Sequence, residues 1–131
     1  MRAVVQRVKS AKVEVNEEST GEIDSGLLVF LGIGKEDKQK DADYLLEKII
    51  NLRIFEDQNQ RLNFSALDLG KDLMLVSQFT LFGDCRQGRR PSFFEAAPPA
   101  EAEKLYDYFV EEAKKSELKI ETGEFQAMMD V

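Results

Sequence analysis

The sequence predicts one mixed α/β domain, residues 1–131, built as a mixed β-sheet or open barrel with two main helices. Three observations predict it: apolar–polar alternation at the start, two later apolar runs of strand length, and only two stretches with sustained helical spacing. A regular doubly wound fold would place a helix after nearly every strand, and two do not suffice for that. A chain of 131 residues is one domain by size and buries a single compact core.

Taken in order, Arg2 to Val8 and then Ala11 to Val15 read as successive strands. Asn16 to Gly21 reads as a polar turn, as does Asp24-Ser25-Gly26. Gly26 to Ile33 is almost continuously apolar, the pattern of a central strand covered on both faces. After the polar loop Gly34 to Lys38, a helix is predicted from Lys40 to Arg53, with Tyr44, Leu45, Ile49 and Leu52 on its apolar stripe and Ile50 broadening it. Asp57 to Gln60 is a turn between the short extended pieces Arg53 to Phe55 and Arg61 to Phe64. Asp72 to Leu81 is a strong strand candidate, and residues 83–97 a loop broken by Gly83, Asp84, Gly88 and Pro91. Pro98-Pro99 opens a second helix whose apolar face is Ala102, Leu105, Tyr106, Phe109, Val110 and Ala113. Leu118 to Thr122 alternates as a short strand, and Ala127 to Val131 reads as the opening of another, which the chain is expected to have lost through truncation.

Composition narrows the chemistry. There is no histidine, so Ser-His-Asp and Cys-His arrangements and histidine-ligated metals are excluded. The one cysteine, Cys85, allows no internal disulfide and no thiolate cluster; it reads as a spare or structural thiol. No metal and no cofactor are expected. No apolar run approaches the ~20 residues of a membrane-spanning helix, and the start lacks a signal peptide's apolar block, so a cytoplasmic location is expected. A net charge of −7 argues against indiscriminate binding to phosphate backbones. The charge is nevertheless uneven: residues 1–13 carry Arg2, Arg7, Lys9 and Lys12, and residues 85–94 carry Arg86, Arg89 and Arg90, with no acid in either segment. A nucleic acid recognised by shape, or plain solvated surface charge, would both produce this pattern.

Three segments carry candidate chemistry. Ser77-Gln78-Phe79-Thr80-Leu81 sets three hydrogen-bonding side chains around an aromatic at the end of an apolar run, just before a glycine-containing loop, where scaffolds place reactive groups. As a strand, it would put Ser77, Phe79 and Leu81 on one face and Gln78 and Thr80 on the other; an ordinary amphipathic strand end has the same composition. Arg86 to Phe94 interleaves arginines with aromatics, which suits phosphate contact with base or ribose stacking, or a solvated basic loop whose phenylalanines enter the core. Gln6-Arg7 places an amide and a guanidinium in an otherwise apolar strand, where arginine pairs with a carboxylate or phosphate or sits on an edge. Gly32-x-Gly34 lacks the further glycine of a nucleotide loop.

Together these segments resemble the bacterial and eukaryotic type of D-aminoacyl-tRNA deacylase. The resemblance runs from Met1-Arg2-Ala3-Val4-Val5-Gln6-Arg7-Val8 through Gly26-Leu27-Leu28-Val29 and Leu52-Arg53-Ile54-Phe55. It is densest at Val76-Ser77-Gln78-Phe79-Thr80-Leu81, Gly88-x-Arg90-Pro91-Ser92-Phe93 and Leu105 to Val110, and closes at Thr122-Gly123-x-Phe125. It implies a homodimer with its active site at or near the subunit interface. It implies hydrolysis of the ester joining a D-amino acid, or glycine on alanine tRNA, to the terminal ribose, with L-amino acids rejected and the ribose 2′-hydroxyl participating. Carried over, Ser77, Gln78, Phe79 and Thr80 line the pocket, with backbone N–H groups near Phe79 polarising the carbonyl. Thr80 takes a positioning role because no base stands beside it. Gln6 and Arg7 brace the site; from their charge alone, Arg86, Arg89 and Arg90, with Pro91 beside them, are expected to meet the 3′ end and acceptor stem of the charged tRNA.

One departure matters. The family's Asn-x-Gly-Pro-x-Thr segment, which excludes L-amino acids, has no counterpart, since the three prolines follow Arg90, Ala97 and Pro98. The chain is therefore expected to be less stable, inactive or deficient in L-rejection. A non-catalytic tRNA-binding module or a structural dimer on the same fold is the alternative.

Overall fold

The computed structural model describes Met1–Val131. Four strands form the central sheet in the order β1 (Arg2–Val8), β4 (Gly26–Gly32), β7 (Asp72–Ser77) and β8 (Ile120–Thr122). β1 runs antiparallel to β4, whereas β4, β7 and β8 are parallel, so the sheet is mixed. The parallel pairs need crossovers, which α1 (Gln39–Asn51) and α3 (Pro99–Lys114) supply on one face. The other face of β7 and β8 is covered by the hairpin β2 (Ala11–Val15) and β3 (Glu18–Ile23). A second hairpin, β5 (Phe55–Glu56) and β6 (Leu62–Phe64), and the short α2 (Ala66–Leu69) complete the α1–β7 crossover.

Alternate residues of the two central strands divide between two cores. Leu27, Val29, Leu31, Leu73 and Leu75 face the helices and meet Ala42, Ile49, Phe109 and Ala113. Leu28, Met74 and Val76 face the hairpin and meet Val13 and Ile23. Each such fully buried aliphatic side chain contributes ~1.5–3 kcal/mol relative to exposure, so β4 and β7 form the rigid centre of the molecule. Gly26 is required at their entry, because a Cβ there would lie 2.0 Å from the Asp72 carbonyl oxygen.

Several expectations change. The stripe of α1 is Ala42, Leu46 and Ile49, and Tyr44 is 66% exposed. Asn16 to Gly21 is not one turn: the hairpin reverses at Asn16 and Glu17, both with positive φ, and the polar run Glu18–Ile23 is a strand burying only Gly21 and Ile23. Asp72–Leu81 does not continue as one strand, since β7 ends at Ser77. At the other end of the chain, Asp130 pairs with Glu14 through two backbone hydrogen bonds of 2.8 and 2.9 Å, extending the β2 edge.

Candidate functional site

The buried run Leu73 to Val76 brings β7 to the end of the sheet, where Ser77 and Gln78 are half-buried and Phe79 and Thr80 are exposed. There the chain turns into a 3₁₀ helix, Phe79–Phe82, so the two-face strand arrangement expected for Ser77 to Leu81 does not form. The turn is seated on two glycines. A Cβ at Gly32 would lie 3.0 Å from the Leu81 Cβ and 3.2 Å from the Phe82 ring, and one at Gly34 would lie 3.0 Å from that ring. Gly32-x-Gly34 is thus a packing seat that lets Phe82 bury against the end of β4.

The turn gathers the predicted group. The Gln78 side-chain amide donates to the Thr80 hydroxyl, while the Gln78 backbone N–H donates to the Leu31 carbonyl at 2.8 Å. A 3₁₀ helix leaves its first N–H groups without intrahelical acceptors, and here these belong to Phe79 and Thr80. The Phe79 ring, 56% exposed, meets the edge of Phe93 with centroids 5.1 Å apart. No carboxylate hydrogen-bonds to Ser77 or Thr80, so neither hydroxyl has a side-chain base. Two hydroxyls, an amide, an aromatic face and two free backbone donors therefore share one strand end.

Arg2 joins this end. Its guanidinium donates to the Leu81 carbonyl at 2.9 Å and lies 4.5 Å from the centre of the Phe82 ring. The sequence alone gives Arg2 no site role, although its place at the start of a strand beside Gly32 is the available signal. Gln6 and Arg7 lie elsewhere. Gln6 is exposed and opposite Leu28, at the level of Met74, three residues and ~10 Å along the strands from Ser77. The Arg7 guanidinium donates to the Ile54 carbonyl at 2.9 Å and reaches Glu56 at 3.4 Å, bracing the β5–β6 hairpin.

Residues 83–97 form the second wall. Asp84 and Ser92 pair through two backbone hydrogen bonds, closing a loop whose tip holds Gly88 at φ +75°. Arg86 is not free, because its guanidinium binds both oxygens of Asp84, the acid one residue before the acid-free segment. Hydrogen bonds from the Arg86 side chain and backbone hold the Asp84 carboxyl down to about 2. Arg89, Arg90 and Pro91 are exposed, and neither arginine has an ion pair. The phenylalanines do not enter the core: Phe93 abuts Phe79, and Phe94 lies beneath the Lys35 ammonium, 3.3 Å from its ring centre. Backbone bonds from Lys35 to Glu95 and from Ala97 to Ile33 tie the base of the loop to the end of β4. Cys85 is an exposed free thiol, and no group of three Cys, Asp or Glu side chains is placed to hold a metal ion.

Fold and site together define a small mixed α/β domain whose central strand end gathers hydroxyl, amide and backbone N–H groups beside a basic loop. Comparison with known proteins makes this particular. The chain belongs to the D-Tyr-tRNA(Tyr) deacylase family, whose family model matches residues 4–131. It is 60% identical over 131 residues to a D-aminoacyl-tRNA deacylase of Thermosipho africanus and 60% identical to one of Halothermothrix orenii. Both matches span 100% of this chain and 88% of the relative. Among solved structures, a c-Myc DNA unwinding element binding protein superposes with a TM-score of 0.92 at 41% identity, over 99% of this chain and 89% of its own. A probable eukaryotic D-amino acid tRNA deacylase, at 14% identity and a TM-score of 0.85 over 98% of this chain and 90% of its own, shares the fold. No helix is long and apolar enough to cross a membrane.

Proposed function

We propose that this chain hydrolyses the ester of D-aminoacyl-tRNA, and of glycyl-tRNA(Ala), releasing free amino acid and tRNA in the cytoplasm. The observation that carries this reading is the 60% identity to D-aminoacyl-tRNA deacylases over the full length of this chain. In this reading the terminal adenosine and aminoacyl group occupy the strand end, with the Phe79 ring as an apolar wall. The free N–H groups of Phe79 and Thr80 face the ester carbonyl and stabilise the oxyanion as it forms, the role for which preorganised donors are most effective. With no side-chain base at Ser77 or Thr80, the ribose 2′-hydroxyl assists the attacking water, and the protein acts by positioning. Gln78 holds Thr80 in place. Arg89 and Arg90 meet acceptor-stem phosphates, Pro91 stiffens their loop, and Arg86 shapes it through Asp84.

The functional unit in this reading is a homodimer. Support comes from the face of β1 and β4 beyond the β2–β3 hairpin, where Val4 is 51% exposed and Phe30 and Gln6 share its surface. Gln6 and Arg7 then serve the interface, at a distance from Ser77 within one protomer.

A second reading has one specific observation in its favour: the solved relative with 41% identity is a c-Myc DNA unwinding element binding protein. A nucleic-acid-binding module without hydrolysis would use the same basic loop. Hydrolysis of D-tyrosyl-tRNA carrying a normal or a 2′-deoxy terminal adenosine separates the readings. Cleavage of the first and not the second is expected; binding without cleavage of either would favour the module.

A further inference from the structure

Away from the Ser77–Thr80 end, a crevice of about 210 Å³ opens between the start of α1 and the first turns of α3. Its floor is apolar, from Ile33, Ala97 and Leu105, and Lys35, Lys38 and Lys104 line its mouth. Of its two carboxylates, Asp37 is already engaged by the Met1 ammonium at 2.6 Å and by the Gly34 N–H at 2.6 Å. Glu101 is the other, and it forms no ion pair. None of the three lysines takes part in any of the molecule's ion pairs. In a chain with 25 acids and 18 basic residues, three lysines lining one crevice, Lys35 resting on the Phe94 ring and the other two without a side-chain partner, form a local concentration of positive charge. Like charges placed together repel, and an anion between them relieves that.

The crevice is also joined to the site. The Lys35 N–H donates to the Glu95 carbonyl, Ala97 bonds back to Ile33, and two residues before Glu95 the Phe93 ring rests against Phe79. Its wall is therefore the base of the loop whose other side forms the site. The loop that sets Phe93 against Phe79 thus also lines the crevice, through Ala97.

We propose that the crevice binds a backbone phosphodiester of the tRNA 3′ strand through Lys35, Lys38 and Lys104, as an anchor separate from Arg89 and Arg90. The proposal rests on the reading of tRNA as substrate. Its ligand is a phosphodiester because the mouth offers flexible point charges, which suit a phosphate, and no fork of donors that would select a planar carboxylate.

The test is the double variant Lys38→Ala/Lys104→Ala; both side chains are exposed and make no hydrogen bond or ion pair, so the fold is expected to persist by circular dichroism. Lys35 is left intact because it also covers Phe94. Deacylation is measured on D-tyrosyl-tRNA and on the minimal ester D-tyrosyl-adenosine, which has no phosphate. For tRNA the expected result is a rise in KM of about tenfold with kcat kept, and a log–log salt slope shallower by ~0.7–0.9 for each phosphate no longer neutralised. For the minimal ester no change is expected. An unchanged salt slope, or equal losses on both substrates, would overturn the proposal. Filter binding of uncharged tRNA gives an independent reading of the same slope. If the wild-type chain cleaves neither ester, a lysine-dependent slope in that binding keeps the crevice while the hydrolase reading falls; a slope indifferent to the lysines sinks the crevice as well.

Discussion

Substituting Gly32 by alanine tests whether the 3₁₀ turn is held in its working position by the end of β4. Gly32 has no positive φ, so the added methyl group acts only by steric pressure. That Cβ would lie 3.0 Å from the Leu81 Cβ, 3.1 Å from the Gln78 carbonyl oxygen and 3.2 Å from the Phe82 ring. All three neighbours belong to the turn or its first residue, so relief comes from lifting the turn by a few tenths of an ångström or more. Overpacking of this kind costs ~1–3 kcal/mol. For 131 residues at ~2 cal/mol/K each, 1 kcal/mol corresponds to about 4 °C, so the melting temperature should fall by ~4–11 °C. A misplacement approaching 1 Å costs up to ~100-fold in rate, so single-turnover cleavage of D-tyrosyl-tRNA should slow by ~10–100-fold. The comparison is Tyr106→Phe, which removes a buried hydroxyl donating to the Leu75 carbonyl at 2.8 Å and touches no site residue. It should lose ~1 kcal/mol of stability and keep its rate. Full activity in Gly32→Ala, or an equal loss of rate in Tyr106→Phe, would refute the reasoning.

Three further outcomes follow from the same geometry. Arg89→Ala/Arg90→Ala should flatten the salt dependence of tRNA binding by ~0.7–0.9 for each phosphate left without its arginine, whereas Arg86→Ala should act by freeing the Asp84 carboxylate; an unaltered slope in the double variant would remove its phosphate role. Thr80→Val should slow cleavage by no more than about tenfold, the worth of one positioning hydrogen bond, and a loss of ~10⁴-fold or more would make Thr80 the nucleophile after all. The Tyr108 hydroxyl donates to Asp43 at 2.7 Å, and that bond, with burial adding to it, pushes Tyr108 up to about 12. Because the folded value is raised, this contribution to stability is complete below pH 10 and is lost as pH rises through about 12. Ultraviolet titration should show Tyr108 ionising late, and Asp43→Asn should bring it earlier; no difference between the two proteins would contradict the assignment.

Much of the fold is legible in the sequence because local pattern and burial agree. The apolar runs at Gly26–Gly32 and Asp72–Ser77 are the two central strands, and the α3 stripe at Ala102, Tyr106, Phe109, Val110 and Ala113 is the buried one. The α1 stripe is ambiguous in sequence because two registers share Ile49. The large residues Tyr44 and Leu52 favour one, while the small Ala42 completes the other, which is the one that packs. Ser65 and Asp68 form a capping box for α2, and Gly70 ends that helix with φ +61°; the signal is present but the helix is only one turn long. β3 is hidden because its outward residues Glu18, Ser19 and Thr20 are polar, and only the hairpin's positive-φ pair reveals it.

The candidate site is legible as a motif and not as a shape. Phe79-Thr80-Leu81-Phe82 favours a strand by composition, and the seat at Gly32 and Gly34, forty-odd residues away, bends it into a 3₁₀ turn. A separation of 79 residues conceals Arg2 beneath Leu81 and Phe82, and one of 47 places Arg7 against Ile54 beside Glu56. Arg86 looks like a free cation in the sequence because its partner Asp84 stands just outside the acid-free run. Pairing decided by tertiary geometry is invisible to a count of charges.

The central claim meets its most direct test in the release of labelled amino acid from D-tyrosyl-tRNA, with the L-ester and enzyme-free buffer beside it. The account predicts that the folded protein cleaves the D-ester well above the spontaneous rate; release no faster than in buffer, from protein shown to be folded and to bind tRNA, would contradict it.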